Sequence, residues 1–84
     1  METNPRLKPI LLEIIANQLR DNTPPETKQT LERLIAEGYS DKNARELIAC
    51  AVTAEILDVM KSEKPYDNNR YVKALHDLPN LPED

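Results

Sequence analysis

Residues Thr23 to Ile48 read TPPETKQTLERLIAEGYSDKNARELI, and they spell two helices and the corner between them. The Thr23 hydroxyl is placed to accept from the N–H of Glu26, while the Glu26 carboxylate reaches back to the N–H of Thr23. That is a capping box, with Pro24 at a first helical position that needs no N–H. Leu31, Leu34 and Ile35 make the apolar face of this helix. Gly38 ends it, because a left-handed residue is required there and glycine has no Cβ to clash. Tyr39 follows and is expected to pack back on Leu34. Ser40 caps the next helix, Asp41 favours the positive end of its dipole, and Tyr39 and Ala44 occupy hydrophobic-staple positions.

Upstream, Leu7, Ile10, Leu11, Ile14 and Ile15 recur at helical spacing. A first helix is expected from about Pro5 or Pro9 to Arg20, with Asn4 as its cap and Asp21-Asn22 as its end. Downstream, the third helix is the longest, about Asp41 to Ser62. Lys61 and Lys64 stand near its negative end, and Pro65 forbids continuation. Asp67 caps a fourth helix, with Tyr66 and Tyr71 as its staple and Val72, Leu75 and Leu78 as its face. Leu78-Pro79-Asn80-Leu81-Pro82 reads as an extended segment partly laid on the surface, and residues 79–84 as an irregular tail. The expected fold is all-α: one domain over residues 1–84, a small bundle of three to four helices with a long central third helix. One Gly, seven Pro and no Phe or Trp argue against a β protein, which needs turn glycines and bulky strand residues.

The third helix has the most functional leverage. Between Leu47 and Met60 it is apolar nearly all round. Ala44, Leu47, Ile48, Ala51 and Val59 cover one arc, and Val52, Ile56, Leu57 and Met60 much of the rest. Such a helix is packed by neighbours on several sides, and three short partners leave part of it uncovered. Exposed apolar patches mark interfaces. The candidate interface residues are Tyr39, Val52, Ile56, Leu57, Met60 and Tyr71. Glu55 falls inside the apolar arc, where an unpaired carboxylate costs several kcal/mol. It needs a partner: Arg70, Lys73 and His76 on the fourth helix are the candidates, giving a buried ion pair drawn from Glu55, Arg70 and His76.

Chemical motifs are absent. His76 is the only histidine and Cys50 the only cysteine, so no His/Cys metal set can be assembled. Cys50 lies in an apolar stretch, where burial makes a thiol inert. One glycine cannot build a phosphate-cradling loop. Asp67-Asn68-Asn69 lacks the alternation, mid-loop glycine and final glutamate of a calcium loop and reads as a helix cap. No catalytic residue, metal ligand or cofactor is therefore assigned. The chain has 15 Asp+Glu against 11 Lys+Arg, with no basic stripe for phosphates, which argues against nucleic acid. The longest apolar run, Pro9 to Ile15, is too short to span a bilayer, so no membrane role is expected. The opening METNPRLK has no signal-peptide h-region, and the expected location is cytoplasmic.

Two resemblances accompany these residues. Leu31-x-x-Leu34-x-x-x-Gly38-Tyr39-Ser40-x-x-x-Ala44 is similar to the first corner of ubiquitin-associated domains. That likeness implies an apolar ubiquitin contact at Gly38 and Tyr39. Glu37 stands where that family has methionine, the following helix is longer, and the family's short third helix has no counterpart. Separately, PETxxTxxRLxAEGYS from Pro25, the Ile48–Met60 helix with Ala54-Glu55-Ile56, Pro65-Tyr66-Asp67-x-x-x-Tyr71 and Leu78-Pro79 resemble a family of small bacterial helical proteins of unassigned activity. This second likeness implies a compact helical fold and no residue roles.

The function expected from these readings is a non-enzymatic structural or protein-interaction module, self-associating through the apolar third helix as a homo-oligomer or binding another protein. The alternative is a small acidic, antitoxin-like regulator that covers a basic surface on a partner protein.

Overall fold

The computed structural model describes residues 7–63 and 65–81. The expected Asn4 cap, the start at Pro5, and Lys64 and Pro82 lie outside them. Four helices follow in order: α1 Leu7–Asp21, α2 Pro25–Ala36, α3 Asp41–Ser62 and α4 Asn68–Asp77. The fold is an all-α bundle with a long third helix. Both α2 and α3 touch all three other helices, so α2 shares the central position expected for α3 alone.

The corner at Gly38 forms as its residues dictate. Gly38 has a φ of 108°. Its N–H donates to Ile35 O at 3.0 Å, and the Tyr39 N–H donates to Leu34 O at 3.1 Å. These two bonds close a Schellman motif and satisfy carbonyls that the helix end leaves open. Tyr39 is half-buried against the core. Ser40 Oγ accepts from the Asn43 N–H at 3.0 Å, and Asp67 accepts from the N–H groups of Asn69 and Arg70. The Tyr66 and Tyr71 rings meet at 6.4 Å between centroids.

The capping box at Thr23 does not form. Asn22 adopts a left-handed φ of 54°, and the Thr23 N–H closes the end of α1 by donating to Gln18 O at 3.0 Å. The donor that Glu26 would have reached is already used. The Thr23 hydroxyl instead donates to Asp21 O at 3.1 Å, and α2 begins one residue late, after Pro24. The core runs through Leu11, Ile15, Leu34, Ile48 and Leu75, with Leu78 just past α4. Ile35, expected on the inner face of α2, is exposed, whereas Thr27 and Thr30 are buried. The inner face is therefore Thr27, Thr30, Leu31 and Leu34 at i, i+3, i+4, i+7 spacing.

Candidate functional site

The α3 helix carries the candidate site on two adjoining surfaces. At about 100° per residue, Ala44, Ile48, Ala51, Val52 and Glu55 point into the bundle, and all are buried. Opposite them, Cys50, Thr53, Leu57 and Met60 fall on one outer stripe. Met60 is 70% exposed, Ile56 beside it 40% and Leu57 36%. Cys50 is exposed, which corrects the expectation of a buried thiol. Within the eleven residues Leu47–Leu57 only Glu55 is charged, and it is turned inward. The outer face over this stretch thus carries no charge, in a chain that is 31% charged.

A groove of about 360 Å³ adjoins that stripe, walled by Ile14, Val52, Ile56, Val59, Met60 and Tyr66. Met60 belongs to both surfaces, and Ile56 lies between them. Gln18 and Tyr71 also line the groove, with their polar atoms already paired. Gln18 Oε1 accepts from the Tyr71 hydroxyl at 2.9 Å and from Thr27 Oγ1 at 2.8 Å, a triad that ties α1, α2 and α4 together. Burial pushes the Tyr71 hydroxyl above its ordinary pKa. Two of the expected interface residues belong to the core instead: Val52 is 7% exposed and Tyr71 is 2% exposed. A tyrosine with its ring in the core and its hydroxyl on Gln18 has no area left for a partner.

Glu55 also lines the groove. Arg70 binds it with both arms of the guanidinium, Nε to Oε2 at 3.1 Å and Nη2 to Oε1 at 2.9 Å. The Asp67 N–H adds a third bond at 3.3 Å. The Arg70 hydrogen bonds hold the Glu55 carboxyl below its ordinary pKa, against the opposing effect of burial. Arg70 Nε also lies 3.0 Å from Asp58 Oδ2. His76 is exposed and is not a member of this cluster. It sits near the end of α4, six residues beyond Arg70 and so about 240° further round the helix, and the same face cannot deliver both to Glu55.

Residue reasoning missed Gln18, Thr27 and Arg33. Arg33 donates from Nη2 to Leu75 O at 3.0 Å, fastening α2 to the end of α4. A signal existed for Gln18, which continues the Leu11, Ile14, Ile15 face, and for Thr27, which continues that of Leu31 and Leu34. Polar residues at core spacing mark buried hydrogen-bond partners. Among the described residues, no group of three or more metal-ligating side chains occurs, and no helix is long and apolar enough to cross a membrane. Comparison with protein-family models, curated proteins and solved structures gives no match.

Proposed function

We propose that this chain is a non-enzymatic interaction module that self-associates through the outer face of α3. The supporting observation is the uncharged stretch from Leu47 to Leu57, whose single carboxylate is withdrawn into the Arg70 pair. A helix face left to water normally carries charged side chains, and a contiguous apolar patch on a small domain marks a contact surface. Leu57, Met60 and Ile56 supply the exposed apolar area, and the groove beside them extends it. Small domains gain stability by sharing such surface with a copy of themselves.

The test is solution mass by light scattering across a concentration series. A mass approaching twice the 9.6 kDa of one chain is expected, with return to the single-chain mass in Leu57→Glu. Helical circular dichroism should be unchanged in that variant, because Leu57 faces outward. A wild-type chain that stays monomeric at high micromolar concentration removes this reading.

A further inference from the structure

Resting on the self-association reading, we infer that the two copies pair their α3 helices antiparallel, crossing near Ala54 and Ile56, with Cys50 and Thr53 of each set against Met60 and Leu57 of the other. Three observations on α3 point the same way.

The first is spacing. Cys50, Thr53, Leu57 and Met60 are separated by three, four and three residues, the seam of a helix pair. Ala54 and Ile56 flank it.

The second is size. The N-terminal half of the seam is small, Cys50 and Thr53, and the C-terminal half is large, Leu57 and Met60. A parallel pair sets small against small and large against large, leaving voids at one end and crowding at the other. An antiparallel pair sets small against large along its whole length, as close packing requires. Thr53 takes part as an apolar residue, because its hydroxyl is already spent on Ala49 O at 2.9 Å.

The third is charge. Glu46 and Lys61 bracket the seam on the outer face, and Asp58 between them turns away towards Arg70. Parallel pairing brings Glu46 towards Glu46 and Lys61 towards Lys61. Antiparallel pairing brings Lys61 of one copy within about one turn of Glu46 of the other, at 1.5 Å rise per residue. Glu46 is held by Lys8 within its own chain, and its side chain remains one-third exposed and open to a second cation.

Cross-linking separates the arrangements. In the antiparallel pair Cys50 and its symmetry copy are ten residues apart along the axis, about 15 Å, too far for a disulfide. Oxidation of the wild-type chain is therefore expected to give no covalent dimer above the level of the monomeric Leu57→Glu control. Met60→Cys with Cys50 retained is expected to link position 60 of one copy to position 50 of the other, identified by peptide mass. Circular dichroism of each variant reports that the helices persist. If light scattering shows a dimer but oxidation links Cys50 to Cys50, or leaves Met60→Cys unlinked to Cys50, the antiparallel arrangement is wrong while self-association stands. If the wild type is monomeric, both fail together.

Discussion

Glu55 shows how one side chain decides the character of a whole helix face. It occupies a core direction on α3 and is kept ionised there by a two-armed guanidinium and a backbone N–H. Glu55→Gln removes the charge and keeps the shape. Hydrogen bonds to charged groups contribute about 1.5–3 kcal/mol. Arg70 retains Asp58 and water in the variant, so a loss of about 2 kcal/mol in urea denaturation is expected. The pH dependence has a definite sign. The folded carboxyl titrates below its ordinary value of 4.5, so the unfolded chain takes up the proton first. The contribution of Glu55 is complete above pH 4.5 and is lost as pH falls through the lower folded value. The Gln variant should show a shallower acid decline over that window. Tyr71→Phe tests the Gln18 triad. Gln18 keeps Thr27 as a donor, so the expected cost is about 1 kcal/mol, one net hydrogen bond. Wild-type stability in that variant would mean the hydroxyl bond contributes nothing.

At the level of elements, the helix ends carry most of the local instruction. Gly38 and Asn22 both take left-handed conformations, and both residue types tolerate them. Glu63 does the same at the end of α3, with a φ of 57°, and neither its Cβ nor its charge suits that place. A left-handed non-glycine residue costs about 1–2 kcal/mol, and a carboxylate faces the negative end of the dipole. Glu63→Gly should therefore raise stability by about 1 kcal/mol once the added freedom of the unfolded chain is subtracted. An unchanged or lower denaturation midpoint would show that α3 ends differently in solution. Between elements, Arg33 fastens α2 to the C-terminal end of α4 through Leu75 O and also pairs with Glu37, a tie that no local pattern announces.

For the molecule as a whole, the unequal lengths of the helices create the exposed surface. The α3 helix has 22 residues, against 12 in α2 and 10 in α4. Its buried residues end at Glu55, and Ile56, Leu57 and Met60 beyond are left in contact with solvent. If that end is covered by a second copy, association and folding are linked by mass action. The thermal midpoint should then rise with protein concentration in the wild type and stay constant in Leu57→Glu. A midpoint independent of concentration in both would argue against dimer-linked stability.

The local code was sufficient for the four helices and for the Gly38, Ser40 and Asp67 ends, because caps and turns depend on residues within one turn of each other. It was also sufficient to flag Glu55 as a carboxylate in need of a cation, since direction around a helix follows from spacing alone. Tertiary structure decided which cation answered, Arg70 and not His76, because that depends on where α4 lies against α3. It decided that the Thr23 N–H would close α1 and not α2, a competition between two helices for one donor. It also sent Tyr71 and Val52 inward and Cys50 outward. The apolar character of α3 was visible all round, but which side of it the neighbours cover is a property of packing, and packing is settled between elements that are distant in the chain.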